Sequence, residues 1–189
     1  MKQHPLEIQR RFSFSSTSTV ATATVTATVA TAITTTTIAN ASAIGAGRGG
    51  GVGTIDQLAN EGFRMLIIAA DDSHMVPEDA FGGWIMVAAN HLAPDSIIAA
   101  LKAGRYYSSC GPDFTMIRLD GDQLHIACSP VSRITVPAGG HRSFAASGDG
   151  LTEATITLEG RDFDFFRIEL TDAAGRHAWS NIFWPDENG

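Results

Sequence analysis

Met65-Leu66-Ile67-Ile68-Ala69-Ala70-Asp71-Asp72-Ser73-His74 is the stretch on which the reading of this chain turns. Its first six residues put apolar side chains on both faces, the pattern of a strand covered on both sides in a parallel sheet. Its last four are polar. They carry a carboxylate, Asp72, and an imidazole, His74, two residues apart where the strand ends. Both side chains can turn toward one ion there. Asp offers a hard oxygen and His a borderline nitrogen, so the pair reads as two ligands of a divalent metal. Asp71 stays outside that set, as a residue that caps or solvates the loop.

The flanking residues extend the α/β pattern. Thr54 is expected to cap a short helix over residues 55–60, with Asp56 in its first turn and Gly62 past its end. Residues 84–89, Trp-Ile-Met-Val-Ala-Ala, read as a second covered strand. A helix over 94–102 has Pro94 at its first position, Asp95 early, Lys102 late and Gly104 beyond. Two strands and two helices are only a piece of a parallel α/β domain, because they cannot cover both faces of a sheet. From residue 113 to 184 the pattern is β. Leu124, Ile126 and Cys128 alternate with polar or small residues, as do Ile134 and Val136, then Ala154, Ile156 and Leu158, then Phe166, Ile168 and Leu170. Turn signals separate the runs at Asp120-Gly121, Gly139-Gly140, Gly148-Asp149-Gly150 and Asp172-Ala173-Ala174-Gly175. Roughly six or seven short strands in a β-sandwich are expected, able to fold independently.

Residues 1–53 are a low-complexity segment. From Val20 to Ile44 they are almost all Thr, Ala, Val and Ile, in part with period two. Such small side chains bury little area, so the segment reads as a tether or a weak strand. Gly45, Gly47 and Gly50 match a GxGxxG spacing, but in so Gly-rich a stretch they read as a linker. Arg10-Arg11 followed by a Ser-rich, acid-poor stretch has the composition of an organelle transit peptide. A cytoplasmic location is the main expectation. The net charge of −7 gives no strong nucleic-acid signal, and no apolar run is long enough to span a membrane. The two cysteines, Cys110 and Cys128, lack metal-ligand spacing and read as semi-buried free thiols.

Three further segments accompany Asp71-Asp72-Ser73-His74: Gly82-Gly83-Trp84-Ile85-Met86-Val87, Ala103-Gly104-Arg105-Tyr106-Tyr107-Ser108-Ser109-Cys110-Gly111-Pro112, and the tail Thr171-Asp172-Ala173-Ala174-Gly175-Arg176-His177-Ala178-Trp179-Ser180-Asn181. In their order and spacing, residues 51–184 resemble the C-terminal portion of the polymerase and histidinol phosphatase (PHP) family of metal-dependent phosphoesterases. The resemblance implies a fragment of a distorted (β/α)7 PHP barrel over residues 54–112, followed by a β-sandwich-like domain over 113–184. It implies a family Asp-x-His pair at Asp72 and His74, divalent ions (Mn, Zn, Fe or Mg) at the barrel's strand ends, and hydrolysis of a phosphate ester by metal-activated water. A phosphorylated small molecule or a nucleotide would be the substrate, with Arg105 placed to reach its phosphate. The family's early His-x-His ligands are missing: of the six histidines only His4 precedes His74. The chain is therefore expected to be truncated or catalytically incomplete by itself, and to self-associate through exposed strand edges. The alternative expectation is a non-enzymatic β-sandwich that binds a ligand or partner and keeps a vestigial metal loop.

The remaining histidines, His91, His125, His141 and His177, are expected at the surface. Trp84 and Trp179 are expected in the core. Tyr106 and Tyr107 are expected to pack the junction between the second and third regions. Ser108 and Ser109 have no triad partners and are not read as nucleophiles.

Overall fold

The computed structural model describes residues 12–13 and 37–40 as backbone, and residues 51–70, 80–158, 160 and 162–185 in full. Asp71, Asp72, Ser73 and His74, the glycines at 45, 47 and 50, and most of the Thr/Ala tract lie outside the described residues. The described elements are β1 (Phe12–Ser13), β2 (Thr37–Asn40), α1 (Val52–Asn60), β3 (Met65–Ile68), β4 (Trp84–Val87), α2 (Pro94–Lys102), β5 (Tyr106–Ser109), β6 (Phe114–Asp120), β7 (Gln123–Ala138), β8 (Arg142–Thr157), β9 (Glu169–Thr171) and β10 (His177–Ser180). The fold is thus mostly antiparallel sheet with two short helices. Neither helix is long and apolar enough to cross a membrane.

One sheet of eight strands runs in the order β1-β6-β7-β9-β10-β5-β4, with β8 added to β7. All of its pairings are antiparallel. β4, expected as a parallel strand, therefore runs antiparallel to β5 at the end of this order. The Tyr106–Ser109 strand that receives it carried no regular polar alternation, since all four of its residues are buried. Among the described strands, β3 alone pairs in parallel, with β2.

The long β7 organises the core. Its first half pairs with β6 and the end of β8, its second half with β9 and the start of β8. Between the halves the register against β8 shifts twice, around Val131. The buried positions run Leu124, Ile126, Cys128, then Val131, then Ile134, Val136, Ala138. Two steps of three within a period of two keep one face inward while the strand bends. Pro130, which has no N–H to give a ladder, sits exposed in this bend. Both halves thereby cover one apolar core with Phe114, Ile117, Phe166, Ile168 and Leu170. Gly148-Asp149-Gly150, expected as a turn, is instead part of β8. It lies where three residues, 148–150, separate Ser147 and Leu151 opposite the bend. Two strands of sixteen residues therefore replace several of the expected short ones.

The second region is fused to this sheet. Tyr107 lies in the main core, and Tyr106 packs with Ile85 and Leu101, so the tyrosines do fill the junction. β5 pairs with β10, and the sheet crosses the expected boundary near Pro112 without interruption. α1 begins at Val52, earlier than Thr54 would set it. Its cap is Gly51, with no side-chain cap bond, which moves Asp56 out of the first turn. Ile55 and Ala59 of α1 pack with Ile67, Phe165, Ile182 and Trp184. α2 has the expected bounds, and Gly104 follows it at φ +65°, a backbone that L side chains resist. Trp179 is buried as expected, but Trp84 is only half-buried, because β4 lies at the end of the sheet order.

Candidate functional site

β3 is the strand that leads to the Asp-x-His segment, and its attachment is unusual. It makes no ladder with the eight-stranded sheet. Side chains hold it instead. The Ile67 N–H donates to Asn181 Oδ1 at 2.8 Å, and Ser108 Oγ donates to the Ile67 carbonyl at 2.9 Å. Asn181 Nδ2 donates to the carbonyls of Gly104 and Tyr106 at 3.1 and 3.0 Å. The bonds to Ile67 and to the Tyr106 carbonyl are buried, so each satisfies a group that would otherwise be desolvated alone, and the bond to Gly104 is partly buried. Leu66 also seats against Gly104, where a Cβ would come within 3.0 Å of its methyl. Apolar residues cover both faces of β3 as its sequence requires: Ile67 faces one cluster, Leu66 and Ile68 another.

Three segments thus meet at Ile67: β3, residues 103–112 through Ser108, and residues 171–181 through Asn181. Arg105 stands between α2 and β5. Its backbone is tied to Ala88 and Ala100, and its side chain is exposed. Asp72 and His74 lie outside the described residues, so the structure gives no distance from Arg105 to them. Among the described residues no group of three or more His, Cys, Asp or Glu is placed to hold a metal. A hydrolytic ion usually takes at least three protein ligands.

His91 and His141 are exposed, as expected. His125 is half-buried on β7 and hydrogen-bonds Thr155 Oγ1 at 2.9 Å. His177 is the correction. It is half-buried, its Nδ1 lies 3.0 Å from Glu169 Oε1, and its ring stacks on Trp179 at 5.6 Å. Glu169 in turn accepts from Arg167 Nη1 at 3.0 Å. Arg167 grips Asp56 of α1 with both Nε and Nη2, at 2.7 and 2.8 Å. Burial pulls the Arg167 guanidinium down, but Asp56 and Glu169 outweigh it and the net shift is upward. Burial pushes the Glu169 carboxyl up, and the His177 bond and the Arg167 charge more than reverse this, leaving it lowered. Sequence reading missed this chain because Asp56, Arg167, Glu169 and His177 are spread over 121 positions (177 minus 56). The one local hint was the i, i+2 spacing of Arg167 and Glu169.

Ser108 and Ser109 are buried and both hydroxyls are donated to carbonyls, of Ile67 and Pro112, which leaves them to structural work. Both cysteines are free thiols. Cys110 exchanges hydrogen bonds with the backbone of His177, and burial pushes the Cys128 thiol up to about 11. The indole N–H of Trp179 is buried and has no hydrogen-bond partner among the described residues.

Comparison of the chain with family models, with curated proteins and with solved structures gives no match.

Proposed function

We propose that this chain is the C-terminal part of a PHP-type metal-dependent phosphoesterase, in which Asp72 and His74 contribute two ligands to a centre that groups outside residues 54–184 complete. The observation that supports this reading is the contact between residues 103–112 and residues 171–181, two segments that resemble one family in sequence and are hydrogen-bonded to each other through Asn181 and through the β5–β10 ladder. The strand that leads to Asp72 and His74 is held by the same two segments, at Ile67. Divalent ions in such a centre would activate water and neutralise phosphate oxygens. Arg105, exposed at the head of β5, would offer its planar guanidinium to the phosphate of a small molecule or nucleotide. Residues 54–112 would be the end of the PHP barrel, and residues 113–184 the appended sandwich. β8, paired with β7 alone among the described strands, offers an edge for self-association.

The test is a calorimetric titration of the metal-free chain with Mn²⁺, beside Asp72→Ala/His74→Ala. Uptake that disappears in the double variant supports the reading. Uptake that the substitutions leave unchanged overturns it and favours a β-sandwich binding module, and no uptake places the chemistry in a longer ancestor.

A further inference from the structure

We propose that the Glu169–His177 pair is a pH-responsive latch, which tightens α1 against the sheet when the imidazole takes up a proton. Asp56, Arg167, Glu169 and His177 form a chain of side chains from α1 to β10, each within 3.0 Å of the next. The Arg167 side chain at its centre is 3% exposed, where charges are poorly screened. The chain contains the only kind of side chain whose ordinary titration falls between pH 5 and 8.

With the imidazole neutral, two carboxylates compete for one guanidinium. With it protonated, the charges alternate from end to end, and Glu169 draws less on Arg167. Arg167 is then freer to hold Asp56. Glu169 remains ionised throughout, since its carboxyl is held below its ordinary range.

Among the described residues, the surroundings of His177 do not compete with this. From β9, Glu169 and the uncharged Thr171 face its ring. From β10, the Trp179 indole lies against it. From the end of β5, Cys110 meets its backbone. In the β9–β10 turn, Asp172 and Arg176 are paired with each other at 2.8 Å. Beyond Glu169 stand Arg167 and Asp56. The other ties of α1 to the sheet are uncharged: the Ile55 and Ala59 contacts, and Asn60 Oδ1 accepting from the Gly140 N–H at 3.0 Å. Among the described residues the Asp56–Arg167 pair is the ionic tie of α1, and the latch acts on it. This inference is independent of the phosphoesterase reading.

Amide hydrogen exchange of the full chain tests it, with His177→Gln alongside. In the wild type, protection factors of the α1 amides should fall about threefold between about pH 5.5 and about pH 8, the size of a modest ion-pair coupling. Those of α2 should stay level, and His177→Gln should flatten the α1 response. Should His177→Gln fail to fold, Glu169→Gln replaces it with the same expected result. A level α1 response in the wild type overturns the proposal. So does a pH response that survives either substitution.

Discussion

Asn181 shows how much of this fold rests on single side chains. Its amide satisfies three backbone groups on two different segments, the buried Ile67 N–H and Tyr106 carbonyl and the partly buried Gly104 carbonyl. Asn181→Ala would leave all three without that partner. Because an unsatisfied buried group costs far more than a hydrogen bond contributes, the expected loss is about 3 kcal/mol in denaturant unfolding. Ile67 amide exchange should accelerate first, since its N–H is released directly. The sequence offers Asn181 only as the end of the quoted 171–181 segment and gives no sign of this role, because its partners lie 75, 77 and 114 positions away. Asp172 was more legible. Asp at the start of Asp-Ala-Ala-Gly signals a turn, and its Oδ1 does accept the N–H groups of Ala174 and Arg176, both at 2.9 Å.

Among the elements, those whose sequence marks both ends were readable. α2 has Pro94 at its start and Gly104 beyond its end, and it occupies the expected residues. The alternation of Phe166, Ile168 and Leu170 places all three inward as read. Misreadings arose where neighbours decide. β4 and β5 lack polar alternation, so the sequence alone left the direction of their pairing open. The glycines at 148 and 150 looked like a turn, but they accommodate the β8 side of a bend made by its partner. α1 illustrates the same limit, because a short helix there was expected from its flanking residues while its ionic tie was not visible. Asp56→Ala would leave the Arg167 guanidinium buried with Glu169 alone. The expected cost is about 3 kcal/mol, the range for breaking one side of a buried pair. Asp56→Asn, which can still accept a hydrogen bond, should cost less. Thermal unfolding of both variants checks the order.

Across the whole molecule, the sheet makes one unit of what the sequence divides at residue 112. β5 stands between β10 and β4, and Trp184 near the far end of the described chain packs on α1. Charges are built into this unit, and that fixes how its stability depends on acid. Glu169 and Asp172 both have lowered carboxyl titrations. At Glu169, burial opposes the shift, while the His177 bond and the Arg167 charge impose it. At Asp172, burial again opposes it, and the N–H groups and guanidinium of Arg176, with the Ala174 N–H, prevail. A carboxyl titrating lower in the folded state adds stability above its unfolded range, roughly pH 4, and loses it as the pH falls toward the folded value. The chain should therefore lose stability on acidification from about pH 5 downward. Glu169→Gln removes one such contributor. Its deficit against the wild type, measured by urea unfolding, should be larger above about pH 5 than at about pH 3. A deficit that stays constant across that range would mean that Glu169 contributes through shape alone, and that its charge does not help to hold α1, β9 and β10 together.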